Sequence, residues 1–337
     1  MQITGQYKRY INLFIRYFLG PLLFCWLIWF IYTQISRQPD IELAWQQILD
    51  SFNSKKIWLV IGAVALMLLN WGIEAVKWRI SVKPVQEVSF QTAFKAILSG
   101  VSVSISTPYR VGEYLGRILY MNEGNKLKAV SLTVVGSISQ VMVTLLMGLV
   151  GLLFMADVLA QQHILSPLWI KMIASGVCMV LVILTLFYFR LSWLVKRIDQ
   201  IPAIKKFTWL INALENFNAT ILFSLLSLSV IRFLVFILQY YLLFRFFGVT
   251  IGFHEAWISV SLMFLVMAVV PTIALFTDLG LKGEISLKLI GIFSANGLGI
   301  TLTTISIWLI NLVIPALAGS LLILSVKKVF NNRNEKN

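Results

Sequence analysis

The sequence predicts an all-α protein, a polytopic membrane helix bundle with about six full crossings and two opposed re-entrant helical hairpins. Three observations lead to this fold class. The chain of 337 residues is 59% hydrophobic and only 12% charged, whereas a soluble domain carries about 25% charged residues. Apolar segments recur along its whole length. Two charged motifs interrupt them at places where a bilayer tolerates charge least.

The lengths of the apolar segments predict which of them cross the membrane. A helix rises about 1.5 Å per residue, so about twenty residues cross a ~30 Å hydrocarbon core. Six segments reach this length, the first of them narrowly: 17–33, 56–76, 129–155, 168–189, 217–246 and 296–325. The segments 90–106 and 256–276 each end in a charged motif, and the apolar run after the motif is too short to cross. We therefore expect hairpins at about 90–121 and 256–294.

The distribution of Lys and Arg predicts the topology. With a cytoplasmic N-terminus and both hairpins re-entrant, eighteen bases lie inside, five lie outside, and five, Lys95 and Arg232 among them, lie at membrane depth. A full crossing by 90–106 would instead place the base-free loop 156–167 inside, which the positive-inside rule disfavours. We expect both chain termini to be cytoplasmic.

The remaining segments fit one integral membrane domain over 1–337. The basic N-terminus precedes a first span without a small-residue cleavage site, so we interpret 17–33 as a retained helix. The stretch 193–216 mixes Lys, Arg and Trp with apolar residues and is predicted to form cytoplasmic interfacial helices. Residues 328–337 form a short polar tail.

Composition also argues against several classes of function. The net charge of +14 sits in loops beside apolar spans, where topology and anionic lipid explain it better than nucleic acid does. Cys25 and Cys178 lie in apolar spans and are interpreted as small core residues. His163 and His254 are far apart, which disfavours a His-based metal site. We find no catalytic constellation and no ATP-binding loop, so we expect neither enzymatic activity nor a cofactor.

The first charged motif runs from Thr107 to Arg117. Thr107 and Pro108 form a helix-start signal that predicts a half-helix beginning at Pro108, whose positive dipole end would suit a phosphate. Arg110, Glu113 and Arg117 share one helical face. Two interpretations stay open, a self-satisfied ion ladder or a phosphate site that uses the surplus positive charge. Two glycines of the motif would allow close approach of a headgroup or a helix, namely Gly112 and Gly116.

The second motif lies between residues 277 and 284. Asp278 and Lys282 are four residues apart, as are Glu284 and Lys288. Its two glycines predict irregular backbone, which survives at membrane depth only inside protein or beside a wet cavity. Those glycines are Gly280 and Gly283. Together with Glu113, the acidic residues are candidate proton carriers or salt-bridge partners.

Polar residues also occur within the predicted crossings. Arg232 lies in the middle of 217–246 with Ser229 and Gln239 on its face, and an intramembrane arginine normally faces a partner or a cavity. Small and polar stripes run along 129–155 and 296–325. Such stripes usually mean helix packing in membranes, with cavity lining as the alternative.

These motifs resemble the flippase-like family built on the transmembrane region of lysylphosphatidylglycerol synthase, of the multiple peptide resistance factor type. The family pattern Thr-Pro-Gly-Arg-x-Gly-Glu matches the first motif, with Tyr109 in place of the glycine, and a glycine-rich pattern matches the second at Gly280, Gly283 and Glu284. Asp278 departs from that pattern. The resemblance implies a multi-pass protein of the bacterial cytoplasmic membrane that binds or moves phospholipid. We expect no synthase activity, since these residues hold no soluble synthase domain.

The function that the sequence predicts is therefore lipid transport. We expect an anionic phospholipid headgroup to bind between the two hairpins at Thr107, Pro108, Arg110 and Arg117, assisted by Arg232 and Lys282. An ion-coupled transporter of a small polar solute is the alternative, and a membrane enzyme acting on lipid-linked substrates is a third possibility. The sequence makes no prediction of the oligomeric state.

Overall fold

The computed structural model describes residues 56–105, 107, 111–190, 217–270 and 275–323, together with Gln46. For residues 275–278 it describes the backbone but not the side chains. The predicted first span, the interfacial helices at 193–216 and the polar tail lie outside the described residues. So do Cys25, Pro108 and Arg110, and the side chain of Asp278.

Helices make up the secondary structure of the described residues, which contain no strand. Their bounds are α1 Ile57–Val82, α2 Phe90–Ser104, α3 Gly112–Ile118, α4 Lys126–Gln161, α5 Pro167–Phe189, α6 Ala219–Phe246, α7 Phe253–Val269, α8 Leu275–Ile290 and α9 Gly297–Trp308. A π-helical turn at Leu309–Val313 joins α9 to a further helical stretch that reaches Ile323, the last described residue. The turn stands just before Pro315, which lacks the N–H that a regular helix would use.

Side-chain caps explain where several helices start. Ser89, Ser166, Asn218 and Asn296 each accept a hydrogen bond from a backbone N–H three residues later. Such caps satisfy one of the four free amides at a helix start. These caps fix the starts of α2, α5, α6 and α9.

Five helices among the described residues are long and apolar enough to cross a membrane: α1, α4 with its preceding turn, α5, α6, and α9 with its continuation. They correspond to five of the six predicted crossings; the sixth lies outside the described residues. Helix α7 is apolar but has only 17 residues. The protein is a polytopic helical membrane bundle, as predicted.

Helices α1 and α6 form the centre of the bundle and run antiparallel. Gln239 donates to the carbonyl of Ala63 near the start of α1, whereas Lys77, near its end, donates to Ser229. Rising residue numbers on one helix therefore meet falling numbers on the other. Helix α4 packs beside this pair and also against α7, where Gly148 and Gly151 allow close contact.

Helices α2 and α3 form a hairpin whose two ends meet. The backbone N–H of Asn122, after α3, donates to the side chain of Gln86, before α2, at 3.0 Å. Asn125 donates to the carbonyl of Val85 at 3.3 Å. The segment between them therefore leaves and returns at the same end of the bundle, beside the C-terminal end of α1.

Helices α7 and α8 show the same arrangement at the other end. Asn296, after α8, donates to the carbonyl of Phe247, before α7, at 3.1 Å. Phe247 follows the C-terminal end of α6. Because α1 and α6 are antiparallel, the bases of the two hairpins lie at opposite ends of the bundle. Their insertion into the two faces of a membrane stays a prediction.

The structure corrects expectations for two glycines, a lysine and a cysteine. Gly280 and Gly283 lie within helix α8, not in irregular backbone; a single glycine costs a helix only about 1 kcal/mol, which the flanking residues offset. Lys95 is exposed on the outside of the bundle, so it adds nothing to a buried charge. Cys178 is also exposed, because α5 packs only at the edge of the bundle.

Candidate functional site

Glu74 of α1 is the centre of a buried ion cluster. Its Oε1 accepts a hydrogen bond from Arg117 Nη2 at 2.9 Å, and its Oε2 accepts one from Arg232 Nη1 at 2.5 Å. Lys77 Nζ lies 3.7 Å from the same Oε2. Only 7% of Glu74 is exposed. One carboxylate therefore connects side chains of α1, α3 and α6.

The first charged motif supplies Arg117 and Glu113 to this cluster. The two side chains form an ion pair along one face of α3, as their spacing predicts. Arg117 is 3% exposed, and its Nε has no hydrogen-bond partner among the described residues. We call Glu74, Lys77, Glu113, Arg117 and Arg232 the Glu74 cluster.

Glycines position Arg117 by letting α2 and α3 touch. A β-carbon at Gly116 would lie 2.5 Å from the Cα of Gly100, closer than real β-carbons come to other atoms. One at Gly100 would meet the Arg117 side chain at 3.2 Å. The hairpin therefore brings α3 close enough for its arginine to reach α1.

Thr107 caps the turn that leads into α3. Its Oγ1 accepts a hydrogen bond from the N–H of Gly112 at 2.7 Å. The N-cap position of α3 is Val111, and the helix begins at Gly112. Thr107 therefore binds the first helical amide from five residues upstream and is not the helix cap that the sequence predicted. A β-carbon at Gly112 would overlap the carbonyl of Val103. This glycine serves backbone packing between the two arms of the hairpin.

Arg232 reaches the cluster from α6, as expected of an intramembrane arginine with a partner. Its Nε donates to Asn70 Oδ1 at 2.5 Å, and its guanidinium lies 5.4 Å from the centre of the Trp71 ring. The carboxylate of Glu74, the amide of Asn70 and the ring face of Trp71 thus hold the Arg232 side chain against α1. The other two residues of its predicted face also contact neighbouring helices, Ser229 through Lys77 and Gln239 through Ala63.

Lys77 lies inside the bundle. The predicted crossing ended at residue 76, which placed Lys77 among the eighteen cytoplasmic bases. Lys77 is 2% exposed, because α1 continues to Val82 and carries the lysine one turn beyond Glu74. Its Nζ donates to Ser229 at 2.9 Å, and Ser229 also hydrogen-bonds Ser139 of α4 at 2.9 Å. The lysine therefore links the cluster to a third long helix.

The cluster combines three cations with two carboxylates, and its members Glu74, Lys77 and Arg117 are buried. A narrow crevice beside it is lined by Glu74, Lys77, Trp78, Ser81, Arg117, Thr133 and Gly136. Chemically, the arrangement offers two guanidiniums and an ammonium that already converge on one anionic group.

The second motif lies apart from this cluster. Glu284 pairs with Lys288 at 2.8 Å, and both side chains are exposed. A β-carbon added at Gly280 or at Gly283 would meet no described atom within 4 Å. Lys282 is half-buried. Among the described residues, the carboxylates that pair with Arg117 and Arg232 are Glu74 and Glu113, whereas Glu284 pairs with Lys288.

The polar stripes serve mainly helix packing. Trp78 donates to Thr133 at 3.0 Å, and Tyr114 donates to Ser137 at 3.2 Å. Gly319 lies against the backbone of α2 at Leu98. Among the described residues, no group of three His, Cys, Asp or Glu side chains is placed to hold a metal ion.

Sequence reasoning missed Asn70, Glu74 and Lys77. A signal was present, since the three residues are four and three positions apart and share one face of a predicted crossing. A carboxylate near the end of an apolar run is also expensive in a membrane. The span estimate ended at residue 76 and treated the following bases as a loop, which hid the pattern.

Comparison with known families covers most of the chain. The family model described as the lysylphosphatidylglycerol synthase TM region matches residues 17–319. This range contains all of the described helices except the last four described residues of the α9 continuation. No curated protein matches the chain.

Proposed function

The chain belongs to the family of the lysylphosphatidylglycerol synthase transmembrane region, and from this premise we propose that it is a phospholipid translocase of the bacterial cytoplasmic membrane. An anionic headgroup binds to cations that the protein holds at membrane depth, while the acyl tails stay in the bilayer. Both chain termini are cytoplasmic in this proposal. The protein carries no enzymatic activity of its own.

The Glu74 cluster is the observation on which this proposal rests. Buried arginines are expensive in a membrane and usually mark a site or a pathway. Here Arg117 and Arg232 come from different helices and point at one anionic group. The phosphodiester of a lipid offers the same kind of acceptor, which a guanidinium binds well. Arg110 of the same motif supplies a further cation in the proposed site.

The two hairpins supply a route in this proposal. Their bases lie at opposite ends of the antiparallel pair α1 and α6, which is the arrangement seen when broken helices of transporters approach a site from both faces. Alternating movement of α2–α3 and α7–α8 would expose the headgroup site first to one leaflet and then to the other. Lys282, Gly280 and Gly283 would contact the headgroup from the second hairpin.

Translocation of fluorescent phosphatidylglycerol in reconstituted vesicles tests the proposal. Arg110→Gln and Arg117→Lys should each lower the rate at least about tenfold, since each removes a bidentate contact worth more than about 1.4 kcal/mol. Lys126→Gln is the matched control, because Lys126 pairs with Glu123 at the surface. Thermal unfolding checks that each variant is folded. Unchanged translocation in both arginine variants would refute the proposed site.

Buried carboxylates favour one alternative, an ion-coupled transporter of a small polar solute. Glu74 and Glu113 lie among cations at membrane depth and could exchange protons during transport. Uptake of solute driven by a pH gradient, with no movement of labelled lipid, would support this alternative. Lipid movement without a pH gradient would exclude it as the main activity.

A further inference from the structure

Glu74 occupies the position that an anionic ligand would take among the cations of α1, α3 and α6. Two guanidiniums and one ammonium converge on its two oxygens. We propose that Glu74 is an internal substitute for the lipid phosphate: it holds α3 and α6 against α1 until a phosphate replaces it. This inference rests on the proposed lipid transport and adds a residue that competes with the substrate.

The burial of the cluster supports this role. Arg117 and Lys77 are 3% and 2% exposed, and the crevice beside them is narrow. A phosphate reaches Arg117 only after α3 has moved away from α1. In the described arrangement, a carboxylate of the protein thus takes the place among these cations that the phosphate would take.

The two carboxylates of the cluster have different roles. Glu113 is on α3 itself, four residues before Arg117, so this pair moves with the helix. Glu74 is on α1, so its bond to Arg117 must break when the hairpin moves. Among the described carboxylates, it is therefore Glu74 that would compete with an incoming phosphate for arginines of other helices. Glu113 provides the matched comparison.

Removing the charge of Glu74 should expose this competition. The apparent affinity of a ligand equals its intrinsic affinity multiplied by the fraction of the protein that is competent to bind it. Glu74→Gln removes the competing anion, so an anionic lipid should bind at least about tenfold more tightly. Glu74→Asp keeps the charge on a shorter side chain and should give a smaller gain.

The experiment measures thermal unfolding in detergent during titration with dihexanoyl phosphatidylglycerol. The zwitterionic dihexanoyl phosphatidylcholine is the lipid control. The variants are Glu74→Gln, Glu74→Asp, Glu113→Gln and, as a surface pair control, Glu123→Gln. Without lipid, Glu74→Gln should melt below the wild type. Phosphatidylglycerol should restore its melting temperature at concentrations about tenfold lower than those that stabilise the wild type.

The outcomes separate this inference from the proposed function. A purely structural Glu74 would lower the melting temperature equally at every lipid concentration, and that result would overturn the inference. So would an equal gain in affinity for Glu113→Gln. If Glu74→Gln does not fold, Glu74→Asp decides, and binding no tighter than in the wild type refutes the competition. If no variant, the wild type included, responds to phosphatidylglycerol, the proposed function itself fails.

Discussion

Single glycines determine whether the motif arginine can reach its partner. Gly100 and Gly116 lie where α2 and α3 come into backbone contact, and Arg117 follows directly after one of them. Without a side chain at either position, the backbones approach closely enough for the guanidinium to reach α1. The motif glycines thus act through packing between the arms of the hairpin.

We predict that Gly116→Ala destabilises the protein by about 1–3 kcal/mol, the usual cost of adding atoms to a packed interface. The added methyl group would meet the backbone at Ser99 and Gly100. Gly176→Ala is the control, because no described atom lies within 4 Å of its added methyl group. Thermal unfolding in detergent measures both. Equal melting temperatures would show that α2 and α3 do not touch at this point.

At the scale of helices, the contact between α1 and α6 depends on a few polar side chains. Arg232 contributes most, since it binds Glu74, Asn70 and the face of Trp71. Lys77 lies farther from Glu74 and adds a bond to Ser229. Gln239 adds a bond to the carbonyl of Ala63. The apolar contacts between these helices add less, because lipid tails compete well with such contacts.

The two cations should therefore differ in their effect on stability. Arg232→Met leaves Asn70 and Glu74 short of a partner and should cost about 3 kcal/mol, the lower end for a broken buried pair. Lys77→Met leaves Glu74 with two arginines and should cost about 1 kcal/mol. Unfolding in denaturant measures both variants under the same conditions. A larger loss for Lys77→Met would contradict the assigned order.

The helices could be predicted from the sequence to a large extent, whereas the partners of the site residues could not. Apolar length predicted the crossings that became α1, α4, α5, α6 and α9, because bilayer thickness fixes that length. The spacing of Glu113 and Arg117 predicted their ion pair. The choice of Glu74 as the common partner depends on how three helices pack, and no local pattern encodes that. The prediction of irregular backbone at Gly280 and Gly283 was wrong for a related reason. The helix-forming residues on either side outweighed the low helix propensity of the two glycines.

For the molecule as a whole, the hairpins determine the topology. A hydrogen bond between Gln86, after α1, and Asn122, before α4, holds these two segments together. The chain between them therefore returns to the end of the bundle from which it started. In a membrane this requires that the loop before α2 and the turn before α4 lie on the same side. The distribution of basic residues points to the cytoplasmic side. We therefore predict that the far end of α4, next to His163, lies outside.

Cysteine labelling in intact cells tests this arrangement. Glu87, Gly124 and His163 are all exposed, so each can be replaced by cysteine in a chain whose own cysteines are changed to serine. We expect a membrane-impermeant maleimide to label His163→Cys but neither Glu87→Cys nor Gly124→Cys until the cells are opened. A permeant maleimide, which should label all three, is the control. Labelling of Gly124→Cys but not Glu87→Cys from outside would mean that the hairpin crosses the membrane. The proposed arginine site, which the hairpin carries to membrane depth from the cytoplasmic side, would then be refuted.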